Sequence, residues 1–297
     1  MSLNKPIYKL RDWIDINKLD FRLLSKNVNA ISLLEKNLDK IDWDLLSTNP
    51  NAIELLEKNQ DKINWCNLSK NPNAIELLKK NEDKIDWFNL SENPNAISLL
   101  KENYDKICWF ILALNPNAIE ILEENEDKIF WDNLCTNPNA ISLLERNMDK
   151  ICWYYLTQNP NALEILNKNN TDKIEWTYLS SNPGAIEILN KNQDKINWQF
   201  LSRNSNAIHL LQENKEKIDW YLLSLNINAL SLLKENQDKI DWHLLSLNPS
   251  IFELDYEKMR ENNMRLYEDL IKEVMKPSRV FKVYECGYDY LEELFGD

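Results

Sequence analysis

The sequence predicts an all-α fold: an α-solenoid of about eleven 22-residue, two-helix repeats, with capping helices at its N- and C-terminal ends. Three observations predict it. Tryptophans stand at 43, 65, 87, 109, 131, 153, 176, 198, 220 and 242, each 22 residues after the last except for one step of 23. Within each period the apolar residues fall at helical i, i+3, i+4 spacing. Only three glycines occur in 297 residues, which disfavours phosphate-cradling loops and tight hairpins. A fixed period of this length is the mark of a repeat architecture, which grows in one dimension instead of enlarging one core.

The consensus unit reads N-P-N-A-I-E-L-L-E-K-N-x-D-K-I-D-W-x-x-L-S-x, and Asn49 to Lys70 shows it clearly. Asn49 suits a helix N-cap and Pro50 the first helical position, where its missing N–H is no loss. Ala52, Ile53, Leu55 and Leu56 then form an apolar face, with Glu54, Glu57 and Lys58 left to solvent. Asn59 is expected to close this helix in the left-handed conformation. Gln60-Asp61-Lys62 makes the turn, with the Asp-Lys pair read as solvated charge. Ile63 is buried, Asn64 caps again, and Trp65 with Leu68 anchors a second helix. The two helices are expected to span about nine and six residues, lengths that are marginal in isolation and hold only by stacking. Eleven units at roughly 8–10 Å per layer predict a rod or arc ~100 Å long.

One period before Trp43 stands Phe21, which opens the first unit. The one-residue insertion falls in Asn169-Asn170-Thr171, within a turn. An asparagine holds the same place in every unit, from Asn27 and Asn49 to Asn226 and Asn248, and is read as a stack of N-caps rather than a peptide-binding row. The expected organisation is an N-terminal capping segment at 1–19, repeats over 20–248, and a C-terminal helical cap or docking segment at 249–297. Leu10, Trp13, Ile14, Ile16 and Leu19 supply apolar material for the first cap. Asn248-Pro249-Ser250-Ile251-Phe252 opens a unit that never reaches its DKIDW. A longer helix is predicted from about Asp255 to Met275, stopped by Pro277, followed by short helices from Ser278 to Tyr284 and around Tyr290 to Phe295.

The repeated NPNAI(E/S)LL…DKI(D/N)W resembles a family of Asn-Pro-Asn-Ala-Ile repeat proteins of giant DNA viruses of amoebae and algae. The lead-in LRDWIDINKLDF (Leu10 to Phe21) and the tail PSRVFKVYECGYDYLEEL (Pro277 to Leu294) resemble terminal segments of such proteins. The frame is kept but varied at Pro183-Gly184, Asn204-Ser205 and Asn226-Ile227. The resemblance implies a viral origin and a place in the infected host's cytoplasm or in the virion. It implies no activity and no functional residues.

Chemistry is hard to find in the chain. His209 and His243 are the only histidines, both at variable outward positions, and no nucleophile, metal or P-loop motif occurs. Carboxylates recur evenly instead of gathering. No catalytic, cofactor-binding or metal-ligating residue is therefore expected, and no cofactor. The five cysteines, with no CxxC spacing, read as free thiols of a reducing compartment. A net charge of -13 repels phosphate backbones, so no nucleic-acid partner is expected. Neither is a membrane partner, for no apolar run approaches the roughly 20 residues a bilayer requires; nor does MSLNKPIYKLRDW look like a secretion signal.

Binding has better support. The first, second and fifth residues after each Trp vary while the frame does not, and the first and fifth share a helical face. A fixed frame with a variable face is how solenoids build extended binding surfaces. The candidate partner-binding residues there are Phe88, Phe110, Leu114, Tyr154, Tyr221 and Leu225, expected on the surface. For the second position, which alternates Asn with apolar residues, core and surface are equally open. The expected function is a non-enzymatic protein-protein interaction scaffold, monomeric or weakly self-associating, for a host or viral protein. The alternatives are a structural component of virion or viral factory, or an adaptor docking through its tail.

Overall fold

The computed structural model describes residues 6–168 and 173–276. It confirms the all-α solenoid and its 22-residue rhythm. The insertion at Asn169-Asn170-Thr171 and the elements expected beyond Pro277 lie outside the described residues.

Each repeat holds three short helical pieces. In Asn49 to Lys70 these are a 3-10 turn at Pro50–Ala52 running into an α-helix at Ile53–Glu57, a 3-10 turn at Gln60–Lys62, and an α-helix at Trp65–Ser69. Both α-helices are thus five residues long, shorter than expected. Asn59 does not turn left-handed: its φ is -134° and its ψ 51°. Its side-chain amide instead donates to Leu55 O, 2.8 Å away, so a side chain satisfies the helix-end carbonyl that a glycine's positive φ would otherwise release.

Leu and Ile of both helices form the core, and Leu24, Leu46, Leu68, Leu90, Leu112 and Leu134 are fully buried three residues after each anchor aromatic. The anchors themselves are half-buried, because each carries a lysine from the next repeat on its ring. Lys40 lies over Phe21, and Lys62 over Trp43, in a series that runs to Lys239 over Trp220, at 4.3–5.0 Å. The lysine of the DK turn is therefore an inter-repeat cation–π contact and not merely a solvated charge.

The buried asparagines do more than cap. Asn137 Oδ1 accepts from Asn139 N, while Nδ2 donates to Ala113 O and Asn115 O in the preceding repeat. The same triple bonding recurs at all eleven positions, and each repeat is tied to the one before it through a single amide that serves as acceptor and donor at once. Gly184 replaces the usual following Asn where a Cβ would sit 2.4 Å from Pro160 O.

The ladder also joins the two ends. Asn27 Nδ2 donates to Ser246 O (2.9 Å) and Asn248 O (3.1 Å), the same bonds that Asn49 makes to Ser25 O and Asn27 O. Lys18 lies over Trp242 at 4.8 Å, and Asp20 N donates to Ser246 Oγ, repeating contacts found between consecutive units. The body Leu10–Phe252 is thus a closed ring of eleven units, not an open rod or arc. Its stacked layers, ~100 Å in total, wrap a circle ~30 Å across. The eleventh unit is assembled from both ends: Asn248-Pro249-Ser250-Ile251 supplies its start and Asn17-Lys18-Leu19-Asp20 its DKID. The terminal unit that seemed to lack its second half finds that half at the other end of the sequence.

Among the described residues the N-terminal segment accordingly forms no capping helix. It contains a strand, β1 (Tyr8–Leu10), and a 3-10 turn at Ile16–Lys18. Ile14 and Leu19 are buried as expected, but Ile16 is exposed. Strand β1 pairs with β2 (Phe252–Leu254). A second compact unit comprises, among the described residues, 6–9 and 253–276, within which Asp255 N donates to Ile7 O at 2.8 Å. Its long helix, Tyr256–Val274, is capped by Asp255 and matches the predicted bounds closely. Among the described residues no helix is long and apolar enough to cross a membrane.

Candidate functional site: the variable wall of the ring

Between neighbouring repeats the helices that begin at the Trp (Trp helices) pack against one another more extensively than the helices that begin at the Ile after the Asn-Pro-Asn-Ala (Ile helices). In a closed ring the more crowded layer is the inner one, so the Trp helices form the inner wall. On each Trp helix the third and fourth residues after the Trp are buried, and the first faces away from them. The variable positions therefore line the inside of the ring.

Phe88, Phe110, Tyr154 and Tyr221 are exposed there, at 53%, 47%, 45% and 55%. Leu114 and Leu225, expected on the surface with them, are half-buried. They lie two residues beyond the last residue of their short helices, Trp109–Leu112 and Trp220–Leu223, where the chain already bends into the next asparagine cap. The second position is mixed: Ile111 is buried, Tyr155 is exposed, and Tyr178 and Phe200 are half-buried.

The structure joins some of these residues into an arc. Tyr154 meets Tyr155 and Tyr178 edge to face at 5.1 and 5.0 Å, and Tyr178 meets Phe200 at 6.2 Å. The Tyr154 and Tyr178 hydroxyls are 2.7 Å apart. Phe110 packs edge to face on Phe130 of the next repeat, at 5.3 Å. Phe88 and Tyr221 stand outside these pairings. The Tyr178 hydrogen bond, with some burial and the nearby Glu175 carboxylate, pushes the Tyr154 hydroxyl up to about 12, so the ring stays neutral.

The residue before each Trp reveals what the variable positions alone did not. At Asp20, Asp42, Asn64, Asp86, Asn197, Asp219 and Asp241 the side chain caps the Trp helix. At Cys108, Phe130, Cys152 and Glu175, four units in succession, it makes no capping bond. Each lost cap costs about 0.5–2 kcal/mol. The Ser that follows the buried Leu elsewhere is also replaced in this stretch, by Ala113, Cys135 and Thr157. The frame is thus relaxed along one contiguous arc, and that arc holds Phe110, Phe130, Tyr154, Tyr155 and Tyr178. Comparing the cap position between repeats would have found Phe130 and Glu175 from sequence.

No family model, curated protein or solved structure matches the chain.

Among the described residues no group of three or more His, Cys, Asp or Glu could hold a metal ion. His209 and His243 are exposed. His243 Nδ1 lies 2.9 Å from Asp20 Oδ2 and belongs to the ring closure. Cys135 is buried at a framework position, and desolvation pushes its thiol up to about 11. A raised thiol pKa favours the folded state below the unfolded value, near 9, and that contribution disappears as pH rises through about 11. Chemical denaturation between pH 8 and 11 is expected to show a loss of stability that Cys135→Ser diminishes. An identical pH slope in the variant would show that the thiol does not contribute.

Proposed function

We propose that the protein is a non-enzymatic protein-protein interaction scaffold whose partner binds along the inner wall of the ring. One observation carries this reading: four consecutive units give up their helix caps in the arc where aromatic side chains collect. Sequences keep local rules where only stability is at stake and break them together where another demand acts. Exposed aromatic residues are the side chains most often responsible for binding energy. The likeness to giant-virus Asn-Pro-Asn-Ala-Ile repeat proteins suggests a viral origin, and with it a host or viral protein as partner in infected cytoplasm or in the virion.

A second reading has an observation of its own. On the helix Tyr256–Val274, Tyr256, Met264, Tyr267 and Ile271 are exposed on a stripe of helical spacing, which suits an adaptor that docks through its C-terminal region.

A photo-reactive phenylalanine analogue distinguishes the two readings. Placed at Phe110 or Tyr154 it is expected to cross-link a discrete protein in extracts of cells expressing the partner, and placed at Lys58 on the Ile layer it is not. The double variant Phe110→Ala with Tyr154→Ala is expected to reduce that capture while moving the thermal midpoint little. Cross-linking only from Tyr267 would favour the adaptor, and a large stability loss in the double variant would make these aromatics core residues instead.

A further inference from the structure

We propose that the sector of the wall formed by Asp132, Tyr154, Tyr155, Glu175 and Tyr178 binds the guanidinium of an arginine carried on an extended basic protein segment. This rests on the scaffold reading and names the chemistry of its partner.

The charge balance of the sector is unusual for this ring. From Trp131 to Ser181 the cations are Arg146, Lys150, Lys168 and Lys173, and every one is engaged. Arg146 pairs with Glu123, Lys168 with Glu164, and Lys150 and Lys173 lie over Trp131 and Trp153. None stands at a variable wall position. Asp132 is exposed, Glu175 half-buried, and neither carboxylate has a hydrogen-bond or ion-pair partner among the described residues. Comparable carboxylates elsewhere on the ring are used: Asp44 accepts from Asn64, Asp86 caps Asn89 N, and Glu92 pairs with Lys70. Among the described residues that precede a repeat's anchor aromatic, Glu175 is the one acidic residue that does not cap its helix.

The three tyrosines complete the constellation. Their edge-to-face contacts and the hydroxyl pair hold the rings together, while Tyr154 and Tyr155 remain exposed. Neutral tyrosine faces, with the Glu175 carboxylate near Tyr154 and Asp132 one repeat back at the same wall position, attract a cation that can stack and hydrogen-bond together. A guanidinium does both, being planar and presenting a fork of donors, whereas an ammonium is more strongly hydrated and does not stack. An apolar occupant would strip water from Asp132 and Glu175 without supplying the opposite charge. The net charge of -13 adds long-range attraction for a basic segment.

The test uses the full chain and three labelled ten-residue peptides that alternate serine with arginine, lysine or glutamine, read by fluorescence anisotropy at physiological salt. The arginine peptide is expected to bind, the lysine peptide about fivefold more weakly, and the glutamine peptide not at all. Asp132→Asn with Glu175→Gln is expected to weaken the arginine peptide about tenfold, and Tyr154→Leu with Tyr178→Leu to do the same. Glu76→Gln with Asp83→Asn, outside the wall, is expected to leave binding unchanged. A photo-cross-linker on the arginine peptide is expected to map to 131–181, a readout that does not depend on any variant folding. The proposal is overturned if the wall carboxylate variant binds as well as wild type, if Glu76→Gln with Asp83→Asn weakens binding equally, or if the cross-links fall elsewhere. A leucine–serine peptide that cross-links to the wall when the arginine peptide does not would overturn the arginine site and leave the scaffold reading standing. Failure of the analogue at Phe110 and Tyr154 to capture any protein counts against the scaffold itself.

Discussion

Asn137→Ala is expected to lower the free energy of unfolding by about 3–5 kcal/mol, as much as a large-to-small change in the core. The side chain is 1% exposed and completes three hydrogen bonds, to Asn139 N, Ala113 O and Asn115 O. Truncation leaves a buried N–H and weakens the satisfaction of two buried carbonyls, and each orphaned group costs about 1–3 kcal/mol. Asn137→Asp is expected to be no better, because it keeps the acceptor, removes both donations and buries a charge. The control is Asn139→Ala, two residues on. Asn139 is exposed and its amide makes one bond, to Pro116 O, so its loss should cost about 1 kcal/mol or less. Urea denaturation of the two variants decides the matter. Equal costs would mean that the amide ladder is not what ties one repeat to the next.

Removing residues 1–20 is expected to open the ring and lower stability by about 5 kcal/mol. The deletion takes away Arg11, whose N and Nε donate to Ile251 O and Ser250 O. It also takes Lys18 from over Trp242, and Asp20 from Ser246 Oγ and His243. What it leaves is held across the seam only by Asn27 and Asn29, whose amides donate to Ser246 O, Asn248 O and Pro249 O, and repeat arrays unravel from their ends once such a seam is weakened. Hydrogen exchange should therefore accelerate first in 21–34 and 230–251, while protection in 97–144 changes little. Small-angle scattering should report a larger radius of gyration. An unchanged melting temperature with uniform exchange would show that the two ends contribute nothing to each other's stability.

The repeat was legible because its chemistry is local. Asn49-Pro50, the i, i+3, i+4 face of Ala52 to Leu56, and Trp65 with Leu68 each state a preference that needs no distant partner, and the structure keeps all of them. The bounds of Tyr256–Val274 were legible for the same reason, through Asp255 as cap and Pro277 as stop. What could not be read were contacts made between units. Lys62 in a DK turn looks like any solvated lysine until Trp43 is placed beneath it. Asn59 looks like a left-handed cap until its amide is seen to reach back to Leu55. Of the six candidate wall residues, four are exposed. Leu114 and Leu225 are partly covered because a four-residue helix ends before their position can face outward as an ideal wheel would place it.

By itself the sequence determined the repeat, its helices, the buried leucines and the stack of asparagine caps, because each depends on interactions within a few residues. Only the tertiary structure decided that the array closes, that Asn17-Lys18-Leu19-Asp20 completes the unit begun at Asn248, and that the variable positions face inward. The physical reason is accumulation. A full turn shared by eleven units is about 33° at each junction, set by how Trp helices crowd and Ile helices spread. No single repeat encodes that angle in a residue one can name. A small change in it, repeated eleven times, separates a ring from an open arc.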